Sequence, residues 1–164
     1  MSKKYIDNLG LCLGMIGLLL FMFGLAEHNV DNKNLIVLFA TFMLFASALI
    51  QKEHFFMGLQ GIAFVSAIMV FYEVRQNYNL VVFIALACIF AITYFSKYKL
   101  NIARVCAFIG FIALCLGILL GRNETMIVCG IFLAIYAIFL IQQGYSVGWV
   151  FLILNVLFAI VAAN

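Results

Sequence analysis

The sequence predicts an all-α membrane protein with seven transmembrane helices, arranged as two parallel three-helix bundles joined by a linker helix (3+1+3). Three observations lead there: the composition, the spacing of polar breaks, and a likeness between the two halves. Of 164 residues, 68% are hydrophobic and only 9% are charged, with a mean hydropathy of +1.25. Ordinary soluble domains are about half apolar and about a quarter charged. So few charges cannot cover that much apolar surface in water, so lipid must be the main solvent. At about 20 residues per crossing, the length suits six or seven crossings and leaves no stretch for a soluble domain.

The breaks define the elements. Apolar runs cover about 6–26, 35–50, 55–72, 80–95, 102–121, 126–141 and 146–163. Between them lie Glu27 to Asn34, Gln51 to His54, Glu73 to Asn79, Ser96 to Asn101, Gly121 to Thr125 and Gln142 to Tyr145, all rich in groups that are costly in hydrocarbon. The runs are continuous rather than alternating, which selects helices over barrel strands. Lys3 and Lys4 precede the first run as they would in a signal peptide. That run continues to Ala26 and stops at Glu27-His28 without a small-residue cleavage pattern, so it reads as the first spanning helix.

Charge segregation is an independent test of seven crossings. With the N-terminus cytoplasmic, one side of a seven-span chain carries Lys3, Lys4, Lys52, Lys97 and Lys99, with Arg104 one turn inside the fifth run. The other side carries Lys33, Arg75 and Arg122, offset by Glu27, Asp31, Glu73 and Glu124. The positive-inside rule then places the N-terminus inside and the C-terminus outside. A multi-pass protein of a bacterial inner (cytoplasmic) membrane is the expected setting.

The third line is an internal repeat. Lys4-Tyr5 aligns with Lys97-Tyr98 at an offset of 93 (97 minus 4), and Asn8 then meets Asn101. Ile16-Gly17 meets Ile109-Gly110, Gly24 meets Gly117, and Gly10 and Gly14 fall on Ala103 and Ala107. Small residues at such spacings let helix backbones approach closely in lipid. The second and sixth runs align at an offset of 91 (127 minus 36), pairing Ile36-Val37 with Ile127-Val128, Ala46 with Ala137, and Leu49-Ile50-Gln51 with Leu140-Ile141-Gln142. Pairing Gln60 with Asn155 needs a further shift of four. Residues 1–75 are then the first three-helix repeat, 76–96 the linker helix and 97–164 the second repeat. Four crossings separate the copies, so they insert in the same orientation, as the charges also require.

This 3+1+3 plan resembles the SWEET sugar facilitators and the PnuC-type vitamin transporters over nearly the whole chain. The resemblance implies two three-helix bundles enclosing a solute path. Three features depart from it. SWEET and PQ-loop proteins carry a proline in the first helix of each bundle, and this chain has none. It lacks the WxxW pair of PnuC-type proteins, Trp149 being its single tryptophan. The N-in orientation differs from that of the SWEETs. The Gly-rich first and fifth runs offer flexibility in place of proline hinges.

Few polar groups lie within the runs. Gln60 and Asn155 are the amides; Thr41, Ser47, Ser66, Thr93 and Tyr136 add hydroxyls. An amide in hydrocarbon must find a partner, so both should face the interior, either as hydrogen-bonding groups of a solute site or as an interhelical bond worth about 1 kcal/mol. Arg104 is a formal charge one turn inside the fifth run; it is placed to counter an anionic solute or to snorkel to the surface. Trp149, Tyr5, Tyr98, Tyr145, Asn8, Asn101, Gln51, Gln142 and Gln143 sit near the interfaces, where anchoring and capping are their ordinary roles. Gln60, Asn155, Trp149, Arg104 and Tyr136 are the candidate substrate-binding residues.

Other chemistry finds no support. Cys12, Cys88, Cys106, Cys115 and Cys129 form no CxxC pair and read as small hydrophobes inside the runs. His28 and His54 each adjoin an acid but fall on opposite sides, so no shared metal site and no cofactor is expected. An intramembrane hydrolase or a proton antiporter needs ionisable groups at depth that the runs lack. The charge of +3 includes no basic tract for nucleic acid. The expectation is a non-enzymatic transporter or facilitator of a small neutral polar solute (sugar-, vitamin- or nucleoside-like), with a site between the bundles. The alternative is a non-catalytic membrane subunit or assembly factor. The partners expected are the bilayer, a small polar solute, and either a second copy of the chain or another membrane protein.

Overall fold

A computed structural model describes residues 3–99, 101–144 and 147–163. These residues form seven helices: α1 (Lys3–Ala26), α2 (Val30–Gln51), α3 (His54–Phe71), α4 (Gln76–Lys97), α5 (Ile102–Leu120), α6 (Asn123–Gln142) and α7 (Val147–Ala163). No strand occurs among the described residues. Tyr145 lies outside them, as do the side chains of Lys3, Lys4 and Tyr5.

Polar residues at the breaks start and stop the helices. Asn29 caps α2, its side chain accepting from the Asp31 and Asn32 amides at 3.0 and 3.1 Å. That cap starts α2 at Val30, ahead of the apolar run, and takes Asp31 to Asn34 into the first turn. Asn101 caps α5 by accepting from the Ala103 amide, satisfying a donor that the helix start leaves unpaired. The chain leaves α2 at Lys52 (φ 55°) and α5 at Gly121 (φ 62°) in left-handed conformations, the usual way to end a helix in a tight turn.

Six of these helices are long and apolar enough to cross a membrane. The seventh is shorter: α7 has 17 residues, or about 25 Å at the helical rise, against a hydrocarbon core of about 30 Å. The chain is thus an all-helical, multi-pass membrane protein.

The structure divides into two compact units, Met1–Phe90 and Ala91–Asn164, with the boundary inside α4. In the first unit, α2 is the middle helix and packs against both α1 and α3. The glycines of α1 make that approach close: a Cβ at Gly10 would sit 2.6 Å from Gln51 Cγ, and one at Gly14 2.8 Å from Ser47 Oγ. Gly17 and Gly24 press likewise on Leu44 and Ile36. Here Ser47 Oγ donates to the Gly10 carbonyl at 2.6 Å, and Gln51 Nε2 donates to Ser47 Oγ at 2.9 Å. The α2–α3 seam is aromatic, with Phe64 between Phe42 and Phe45. In lipid, where burial gains little, such close packing and interhelical hydrogen bonds hold helices together.

In the second unit, α6 is the middle helix and packs against α5 and α7. Gly110 faces Leu133, and Gly117 faces Met126. At the α6–α7 crossing, Gly130 has no room for a Cβ, which would lie 2.7 Å from the Ala159 Cβ and 2.9 Å from the Asn155 carbonyl oxygen.

Candidate functional site

Gln60 sits on the second turn of α3, in a stripe of buried positions that also holds Leu59, Ala63, Ser66 and Ala67. It is 8% exposed, and its Oε1 accepts no hydrogen bond. Such an atom is unusual, because buried amides normally find partners. Two buried hydroxyls of the same unit are committed to their own helices. Ser66 donates to the Ile62 carbonyl at 2.9 Å, and Thr41 on α2 donates to the Val37 and Leu38 carbonyls, also at 2.9 Å. Gly58 and Gly61 flank Gln60, so its turn of α3 carries little side chain of its own. Aromatic rings fill the space: the Phe90 ring lies directly against Gly58, and Phe45 Cε2 is 3.4 Å from a Cβ built on Gly61. Phe55 packs on the same Phe90 ring, with centroids 5.9 Å apart.

Asn155 is also buried, on α7 beside Leu154 and facing the same way as Phe158 and Ala162. Its Nδ2 donates to the Phe151 carbonyl one turn earlier, at 2.7 Å. Sequence reasoning gave each amide either a solute contact or an interhelical hydrogen bond. Asn155 turns back onto its own helix, and Gln60 leaves its oxygen without a partner among the described residues.

The other candidates do not gather around these amides. Arg104 lies over the faces of Tyr94 and Tyr98 at 5.6 and 5.7 Å, and those two rings stack at 4.6 Å. This is a cation–π arrangement at a helix end, and it suits anchoring better than neutralising a solute. Trp149 is 57% exposed near the start of α7, as an interfacial belt residue would be. Tyr136 is half-buried on α6, beside the fully buried Ala137. Gln60 belongs to the first unit, and the other four candidates to the second.

Two groups escaped the sequence reading. Asn79 looked like a loop boundary, yet it is 3% exposed inside α4. Its Nδ2 donates to the Val74 carbonyl at 3.0 Å, while its Oδ1 is buried without a donor. The polar run Arg75 to Asn79 hid that it continues into a helix. Ser47 bridges α1 and α2, a role visible in sequence only through its neighbour Gln51 one turn on. The five cysteines differ in burial: Cys115 and Cys129 are buried, Cys106 is half-buried, and Cys12 and Cys88 lie on exposed helix faces, where the sequence placed all five simply within apolar runs. Among the described residues, no group of three His, Cys, Asp or Glu side chains gathers as metal ligands.

No protein-family model, curated protein or solved structure matches the chain.

Proposed function

We propose that the chain is a facilitator of a small neutral polar solute, and that Gln60 contacts the solute. One observation carries this reading: an amide oxygen buried in an apolar membrane domain with no donor of its own. Leaving such a group unpaired costs about 1–3 kcal/mol, and a bound solute with hydrogen-bond donors offsets that cost. No catalytic role is assigned.

The 3+1+3 plan belongs to the same proposal, and recurring burial supports it. Every buried position described in α1 (Gly10, Gly17, Phe21, Met22, Gly24, Leu25) has a buried counterpart in α5 at the offset of 93, from Ala103 to Ile118. For α2 and α6, burial favours an offset of 89 (126 minus 37) over the 91 read from identities. It pairs Val37, Ala40, Thr41 and Ala48 with Met126, Cys129, Gly130 and Ala137. For α3 and α7 the offset is 95 (155 minus 60), pairing Leu59, Gln60, Ala63 and Ala67 with Leu154, Asn155, Phe158 and Ala162. At the offset of 91 the buried Val37 meets the exposed Val128, so those identities do not track burial. The N-in, C-out orientation completes the proposal.

The second reading, an accessory membrane subunit, draws on the closed α1–α2 and α6–α7 seams. Proteoliposome uptake across sugars, vitamins and nucleosides separates the two. Uptake by the wild type that falls in Gln60→Leu supports the facilitator. No uptake across the panel favours the subunit.

A further inference from the structure

The two buried amides occupy corresponding places on α3 and α7, yet their surroundings differ in three ways. First, Gln60 Oε1 is buried with no donor among the described residues, whereas Asn155 Oδ1 is not among the buried unpaired atoms and its Nδ2 donates to the Phe151 carbonyl. Second, the backbone at Asn155 is clamped, because α6 crosses there closely enough to exclude a Cβ from Gly130. Third, the residues two before and one after Asn155 are Ile153 and Val156, whereas the matching positions around Gln60 are Gly58 and Gly61. What covers the Gln60 turn from α2 and α4 is phenyl rings, those of Phe45 and Phe90. A ring moves aside by rotamer change; a clamped backbone does not.

Of these two corresponding amides, Asn155 is therefore a packing group and Gln60 is the one free to take a ligand. The kind of ligand follows from the hydrogen-bond inventory. Thr41 and Ser66 give their protons to their own helices, and no donor among the described residues reaches Gln60 Oε1, which leaves that acceptor open to a donor on a ligand. A carboxamide presents a C=O acceptor beside N–H donors, and its full complement is a second group of the same kind. We infer that Gln60, without Asn155, carries the solute contact, and that the solute presents an N–H donor next to a carbonyl: the urea, carboxamide or nucleobase class. The inference rests on the facilitator reading above.

The test uses the full chain in proteoliposomes, with urea, acetamide and uracil as probes and glycerol and glucose as comparators. Folded protein is checked by size-exclusion chromatography for each variant. The expected result is flux of the three amide-bearing probes, reduced about tenfold or more in Gln60→Leu and Gln60→Met, the loss expected for one buried hydrogen-bonded contact. Asn155→Ala and Asn155→Leu, normalised to folded protein, stay within about twofold of wild type. Flux of glycerol or glucose without the amide probes keeps the facilitator and overturns the inference. Equal loss in the Asn155 and Gln60 variants overturns the assignment to Gln60 alone. No flux of any solute removes both.

Discussion

Replacing Gly130 by Ala tests the close helix crossing in the second unit. The added Cβ would lie 2.7 Å from the Ala159 Cβ, 2.9 Å from the Asn155 oxygen and 3.0 Å from the Ala159 nitrogen. Two of those three atoms are backbone, so no side-chain rotation relieves them. Restoring an ordinary contact of 3.4 Å requires the α6–α7 seam to open by about 0.7 Å (3.4 minus 2.7). Overpacking of this kind costs about 1–3 kcal/mol, and a backbone obstacle puts it near the upper end. Ala gains about 1 kcal/mol over Gly in helix propensity, so the net loss is about 2 kcal/mol. For a chain of this size that corresponds to a fall of about 4–8 °C in melting temperature. Gly61→Ala is the matched control, since its Cβ meets the Phe45 ring at ordinary contact distances, 3.4 Å to Cε2 and 3.8 Å to Cδ2, and it receives the same propensity gain. Thermal unfolding in detergent, followed by a thiol-reactive dye, reads the difference through the buried Cys115 and Cys129, above a background from exposed Cys12 and Cys88. If Gly130→Ala melts with wild type, or Gly61→Ala falls as far, the described crossing is wrong.

Three further outcomes follow from the same packing. Ser47→Ala removes the 2.6 Å bond to the Gly10 carbonyl and leaves Gln51 Nε2 without its acceptor; it should destabilise by about 0.6–1.7 kcal/mol, and an unchanged unfolding equilibrium by steric trapping would argue against that bridge. Asn101→Ala loses the cap on α5, at a cost of about 1 kcal/mol, and should speed amide hydrogen exchange at Ala103 while leaving α6 unchanged. Single cysteines placed by Ser2→Cys and Asn164→Cys in a background without other thiols should react with impermeant reagents from opposite sides of the membrane. Labelling from the same side would refute an odd number of crossings and with it the spanning role of α7.

The position of Gln60 and Asn155 in the chain was legible from sequence, because an amide in an apolar run has only the helix interior to face. What each does there was not legible. Asn155 folds back onto a backbone carbonyl of its own helix where Gln60 does not, and the crossing at Gly130 depends on residues of another helix. Arg104 shows the same division. Its place one turn inside a helix predicted a charge near the surface, but its tyrosine partners come from the preceding helix and are brought to it by the turn between α4 and α5.

By itself, the sequence determined seven helices, their approximate ends and their membrane setting, because hydropathy and capping act locally along the chain. Only the tertiary structure decided that α2 and α6 are the middle helices of their units. It also decided that the glycines of α1 face α2. The physical reason is that lipid and protein interior are equally apolar. Hydrophobicity therefore marks which residues are in the membrane but not which way they face. Facing is decided by steric fit and by where the last hydrogen bonds can be made.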